Sequence, residues 1–227
     1  MVTGLKVLGP FPFVCYIWVF GKAPAVGGGK ALFYLRNFNQ LGAFIMALPS
    51  TVYRASVQLS DLDRHVYEQL QTTIAKHPSE TQERLVARLL AYALCFEEEL
   101  SFTKGVGSGD EPDLWSKGAD GRVRLWIEVG LPDPERLAKS CRHVERAVLF
   151  ACGPTQSRWL TQHLQKLSSS QNLSVIGIDF KFLGGLVENL QRAINWSLTV
   201  TEGVLYLTIG EETMETALQH LSGPPLN

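Results

Sequence analysis

Glu128 closes the run Arg122-Val-Arg-Leu-Trp-Ile-Glu-Val-Gly130, a single carboxylate among apolar neighbours. A carboxylate in such a strand is costly to bury unless a proton, a cationic partner or a metal ion compensates it. A second group of acids, Asp110, Glu111 and Asp113, sits in Gly109-Asp110-Glu111-Pro112-Asp113 ahead of a polar loop. One carboxylate on a loop and one at the end of a neighbouring strand are what Mg²⁺ usually takes from a protein, water and substrate phosphate supplying the other oxygens. A lysine nearby can orient the attacking water or stabilise charge on the phosphorus oxygens. Lys139 is the lysine in question: helical side chains lean toward the N-terminus, which points it back toward the end of the Glu128 strand. This is the logic of metal-dependent phosphodiester hydrolysis. Lys139 lies well round from the Leu137 stripe of its helix, however, so a solvated basic face competes with that role.

The elements that must position these residues follow from periodicity. Residues 51–60 alternate, with Tyr53, Ala55, Val57 and Leu59 on one face, and residues 66–75 return as a second strand of a hairpin. Ser79 fits a helix N-cap with Gln82 at the third helical position, and the helix runs to about Phe96 on a stripe of Leu85, Leu89, Ala93 and Phe96. Glu83, Arg84 and Arg88 fall beside or opposite that stripe, and for Glu83 and Arg84 a solvated face is the plain expectation. Glu83 gains a function only near the sheet edge to which Glu128 points. Residues 100–104 read as a short strand, 105–109 as a glycine-rich loop without a phosphate-binding pattern, and Leu114-Trp115 as a loop anchor. Asp133 caps a helix with Pro134 at its first position; Leu137, Cys141 and Val144 form its buried stripe, and Arg136, Lys139, Arg142 and His143 cover the rest. Beyond it come a buried strand at 147–152, a helix at 155–167, a strand at 173–178, a helix at 183–190, a hairpin over 196–208 turning at Glu202-Gly203, and a tail from Gly223. The order is α+β with a mixed central sheet.

The chain of 227 residues, 45% hydrophobic, suits one domain with a real core. Lys plus Arg number 21 against 22 Asp plus Glu, a net charge of −1, so any nucleic-acid binding requires a local basic patch. Cys15, Cys95, Cys141 and Cys152 have neither a CxxC pair nor zinc spacing, which favours reduced thiols in a cytoplasmic protein. The chain is read as a monomer without a membrane partner. Residues 1–45 differ from the rest: the apolar run at 11–20 is too short, and too interrupted by Pro10 and Pro12, for a membrane span. The expectation is a non-native or dispensable, disordered extension ahead of a domain spanning 46–227, with a signal peptide ending at Ala23-Pro24-Ala25 as the competing reading.

From Met46 onward the chain resembles the YaeQ family, on His77-Pro-Ser-Glu-Thr-Gln-Glu-Arg84, Phe102-Thr-Lys-Gly105, Asp110-Glu-Pro112, Leu125-Trp-Ile-Glu-Val-Gly130, Leu131-Pro-Asp133 and Lys139. The resemblance implies a compact version of the PD-(D/E)xK nuclease fold: helix, three-stranded meander, helix, strand, with N- and C-terminal β-hairpins added. It implies a first acid within residues 110–113, a second at Glu128 and a helix glutamate at Glu83. Pro112-Asp113 spells the literal motif, while Asp110 belongs to the block shared with the family and is preferred. Gly130 stands where the motif's lysine would be, leaving Lys139 as a lysine moved onto the following helix. The implied site is Asp110, Glu111 and Glu128 holding Mg²⁺ or Mn²⁺, with Lys139 and Glu83 catalytic and DNA or RNA as substrate. The alternative is a nuclease-like fold without hydrolysis, acting as a binding or regulatory partner.

Overall fold

The structure is a computed structural model that describes residues 49–103 and 111–226. The extension expected over residues 1–45, the glycine-rich 105–109 segment and Asp110 lie outside the described residues. The alternating N-terminal segment forms β1, Thr51–Asp61, and β2, Val66–Lys76, returns beside it antiparallel in unbroken register. Tyr53, Ala55, Val57 and Leu59 are buried, as their spacing requires.

Helix α1, Gln82–Leu94, begins two residues later than a Ser79 cap would place it: Thr81 is the N-cap, and its side chain accepts from the Arg84 amide. Ser79 instead sits 2.7 Å from His77 Nδ1, and Glu80 accepts from the His77 amide at 3.3 Å. Strands β3 (Ser101–Phe102), β4 (Leu114–Lys117) and β5 (Val123–Val129) form an antiparallel meander. Leu114 and Trp115 are thus part of a strand, not merely a loop anchor. Helix α2, Pro134–Cys141, is capped by Asp133, which accepts from the Arg136 amide. Strand β6 (Arg146–Ala151) lies parallel to β5, α3 (Gln156–Leu167) follows, and β7 (Leu173–Gly177) lies parallel to β6.

After α4 (Phe180–Glu188), β8 (Ala193–Thr201) and β9 (Val204–Ile209) form the expected hairpin. Its turn residues Glu202 and Gly203 have φ of 52° and 72°, the paired positive values that a two-residue turn matching strand twist requires. The polar segments β10 (Glu212–Ala217) and β11 (Gln219–Ser222) are additional strands that the sequence reading missed.

The result is a mixed α+β fold with two mixed sheets and, among the described residues, four helices. One sheet has the order β10-β9-β8-β1-β2, and the other β11-β7-β6-β5-β4-β3. The two terminal hairpins meet in the first sheet, where β1 runs parallel to β8. Between the sheets α1 and α4 build the main core, in which Leu85, Leu89, Leu183 and Leu186 join Val57, Ile74, Ile127 and Phe150. On the far side of the second sheet α2 and α3 cover a smaller cluster that includes Trp126, Leu137, Leu149 and Leu167. Strand β5 is therefore covered on both faces, which is why Leu125 to Val129 are buried without alternation. Cys95, Cys141 and Cys152 are buried free thiols, and burial pushes Cys95 up to about 12, out of the reactive range. No helix of the described residues is long and apolar enough to cross a membrane.

Candidate active site

The burial of β5 on both faces puts Glu128 out of water, 5% exposed. Its Oε1 accepts from the Trp126 indole Nε1–H at 3.1 Å and lies 2.8 Å from Arg136 Nη1. The other nitrogen of that guanidinium, Nη2, donates to the Glu111 carbonyl at 2.8 Å. Burial pushes the Glu128 carboxyl up to about 7, and Asp113 adds to the rise, against the opposing pull of Arg136, the indole and Arg84. One strong ion pair is not enough to restore an ordinary carboxylate here: desolvation outweighs it.

Asp113 is the described acid nearest to this carboxylate along the sheet. Leu114 pairs with Ile127, so one step further along the same register Asp113 stands opposite Glu128. Its Oδ2 accepts from the Val129 amide at 2.8 Å, and both its oxygens accept from Arg84 Nη2, at 2.7 and 2.9 Å. Arg88 Nε adds an ion pair at 3.3 Å. Arg84 and Arg88 also share Glu80, through Nη1 of each at 3.0 and 3.1 Å. Arg88 is 2% exposed; it donates further to the Ala75 carbonyl at 3.3 Å and lies 5.5 Å over the Phe102 ring. Arg84 thus does not form the solvated face expected of it: Glu80 just ahead of α1, with Arg84 and Arg88 on the helix, spaced i, i+4, i+8, make one charged edge turned into the protein. That spacing was the available signal.

The expected site residues are placed as follows. Glu83 is half-buried in the first turn of α1 and has no ion pair or side-chain hydrogen bond among the described residues. Glu111 is half-buried and enters the network by its carbonyl. Lys139 is exposed on α2, and no hydrogen bond or ion pair joins it to Glu128. Gly130 follows directly on β5. Its φ is +107°, a conformation that strains any residue with a Cβ, and the nearest atom to such a Cβ is Arg84 Nε at 3.7 Å. A guanidinium borrowed from α1 therefore supplies the positive charge at the end of β5.

This arrangement bears directly on metal binding. Both oxygens of Asp113 are held by guanidinium and amide donors, and Glu128 offers one oxygen, Oε2, without a hydrogen-bond partner among the described residues. No group of three or more His, Cys, Asp or Glu that could hold a metal ion occurs among the described residues. Among the described residues, then, Asp113 has both oxygens engaged and Glu128 keeps Oε2 open, while Asp110, the other acid expected beside Glu111, lies outside them.

Beside Glu128 the surface opens into a groove of about 810 Å³. Arg122, Arg136, Lys139, Arg142 and His143 line it, with Trp126 and Val144 among the apolar residues and Glu145 as its acid. On a chain of net charge −1 this is the local basic patch that anion binding requires.

Two outcomes follow for the network. Arg88→Met leaves Glu80 and Asp113 short of a donor in a buried place and is expected to lower unfolding free energy by about 3–5 kcal/mol, read from urea denaturation. Because the folded Glu128 pKa is raised from 4.5 to about 7, its contribution to stability is fully present below about 4.5 and is lost as pH rises through about 7. Glu128→Gln should therefore gain stability relative to wild type across that window, by no more than about 1.4 kcal/mol per pH unit, with no further gain above it. Paired chemical denaturation at several pH values checks this.

The comparisons with known proteins agree with this architecture. A family model described as YaeQ protein matches residues 46–218. The chain is 38% identical over 174 residues to the uncharacterised protein YaeQ of Salmonella typhi, covering 76% of this chain and 96% of that one. It is 36% identical to the Escherichia coli (strain K12) protein of the same name, over the same shares. The crystal structure of YaeQ from Xanthomonas axonopodis pv. citri matches with a TM-score of 0.74 and 34% identity, over 77% of this chain and 99% of that one. YaeQ from Pseudomonas syringae matches with a TM-score of 0.73 and 40% identity, over 77% and 97%. The chain belongs to the YaeQ family.

Proposed function

We propose that this protein binds the phosphodiester backbone of DNA or RNA without hydrolysing it, as a binding or regulatory partner built on a compact scaffold of the PD-(D/E)xK nuclease type. One observation carries the proposal: the groove beside Glu128 is cationic, while the acids next to it are already neutralised by Arg84, Arg88 and Arg136. In a metal-dependent nuclease the cation does that neutralising and then meets the phosphate. With arginines in its place, the positive charge that faces a ligand comes from Arg122, Lys139 and Arg142. These attract phosphate through counterion release, which is independent of base sequence. Trp126, 9% exposed and packed in the cluster under α2 and α3, adds only a small apolar patch to the groove.

The metal-dependent nuclease keeps one specific point in its favour. Glu128 Oε2 is open, and a carboxyl raised to about 7 has much to gain from a cation that replaces its proton. In that second case Asp110, Glu111 and Glu128 hold Mg²⁺ or Mn²⁺, with Lys139 and Glu83 beside the phosphate. The order α1, β3-β4-β5 meander, α2, β6 suits either case.

Binding is measured by fluorescence anisotropy with a single-stranded oligonucleotide of about 12 nucleotides in EDTA. Binding is expected to fall with salt, with a log–log slope of about −2 for three phosphate contacts, and Lys139→Ala and Arg142→Ala should each flatten that slope by roughly 0.7. No binding at low salt, or binding unchanged in both variants, contradicts the proposal. The nuclease alternative requires Mg²⁺ at about 10 mM to raise the melting temperature of wild type but not of Glu128→Gln, together with cleavage lost in that variant.

A further inference from the structure

Four strands border open sheet edges among the described residues: β10, β2, β11 and β3. Three of them are poor templates for another strand. Strand β10 has six residues, β3 has two, and β11 has four with a break in its register. Short or bulged edges of this kind resist pairing. Strand β2 is eleven residues long, contains no proline and pairs with β1 without a bulge; only near its end is a backbone group already engaged, the Ala75 carbonyl accepting from Arg88 Nη1 at 3.3 Å. The large hydrophobic side chains exposed among the described residues, Val52, Leu62 and Tyr67, all belong to the β1–β2 hairpin.

We infer that β2 pairs antiparallel with β2 of a second copy of this chain, across a two-fold axis centred on Thr72, joining two five-stranded sheets into one of ten. The side chains of β2 determine both the occupant and the register. Positions 68, 70, 72, 74 and 76 share one face, with Leu70 and Ile74 buried in the core and Glu68 and Lys76 at the two ends. Neither Glu68 nor Lys76 has an ion pair among the described residues. In the Thr72-centred register Glu68 faces the partner's Lys76, and Leu70 faces the partner's Ile74, so opposite charges and apolar pairs both match. The two-fold axis makes each such pair occur twice.

Neighbouring registers lose this match. Centred on Gln71, the pairing puts Glu68 against the partner's Ile74 and Lys76 against the partner's Val66. Centred on Thr73, it puts Lys76 against the partner's Leu70. Centred on Leu70, the pairing puts Glu68 against the partner's Thr72, and centred on Ile74 it puts Lys76 against the partner's Thr72, so both lose the charge pair. A strand complementary to itself in one register is a strand suited to its own copy. The monomer expected from the sequence came from patterns that carry no strand order; the open edge is visible only once β2 is placed outermost.

The test is sedimentation velocity of the full chain up to about 100 µM, where mass action favours a weak dimer. A reversible dimer is expected. Glu68→Lys and Lys76→Glu should each weaken it several-fold, and the double exchange should return the dissociation constant to near that of wild type. Hydrogen exchange on wild type, in which the β2 amides become slower as concentration rises, gives an independent check should a variant fold poorly. A wild-type monomer throughout this range with concentration-independent exchange overturns the inference, as does a double variant no tighter than the single ones. A different protein captured along β2 while the chain remains monomeric also counts against it.

Discussion

Three carboxylates, Glu80, Asp113 and Glu128, lie out of water beside three guanidinium groups, and the region around β5 depends on that pairing. Removing an ion from water costs several kcal/mol even after relaxation, so each of these acids is tolerable only with charge-assisted hydrogen bonds in place. Arg88 shows how much structure one such group ties together. It meets the Ala75 carbonyl on β2 in one sheet, Glu80 ahead of α1, and Asp113, whose carboxylate holds the Val129 amide on β5 in the other sheet. The two sheets touch α1 through apolar packing, which is non-directional; this lattice fixes how they are aligned.

The same lattice shapes the chemistry available at the end of β5. A divalent cation and a guanidinium compete for one carboxylate, and here the guanidinium is already covalently part of the fold. Arg84 lies against the end of β5, its Nε 3.7 Å from where a Cβ on Gly130 would stand, and Gly130 itself has a positive φ. Arg136 takes one oxygen of Glu128 and ties α2 to the Glu111 carbonyl. Charge that a metal would bring is built in, and the unshared cations of α2 face outward into the groove. Phosphate recognition then needs no metal, which is the physical content of the proposed function.

Much of the fold was legible because burial imposes a period. Strand β1 shows it in Tyr53, Ala55, Val57 and Leu59, and α2 in the Asp133 cap followed by Pro134. Two elements escaped that signal: β10 lies at a sheet edge with polar side chains, and β4, although Leu114 and Ser116 are buried in alternation, is too short to display a period. Glu128 stood out because a charge in an apolar run is conspicuous. Its partners did not, because arginines at helical spacing look the same whether they face water or buried acids. The Glu80, Arg84, Arg88 ladder carried that information, but only the position of Asp113 shows which way it faces.

Trp126 reports on both halves of the account, since its indole N–H is bonded to Glu128 Oε1 and its ring lines the groove. The decisive measurement is the ¹H–¹⁵N indole resonance of Trp126 during two separate titrations, one with a single-stranded oligonucleotide in EDTA and one with Mg²⁺ alone. The oligonucleotide is expected to move this resonance saturably while Mg²⁺ leaves it in place, Arg136 holding Glu128 throughout. A resonance moved saturably by Mg²⁺ and untouched by the oligonucleotide until Mg²⁺ is added would contradict it.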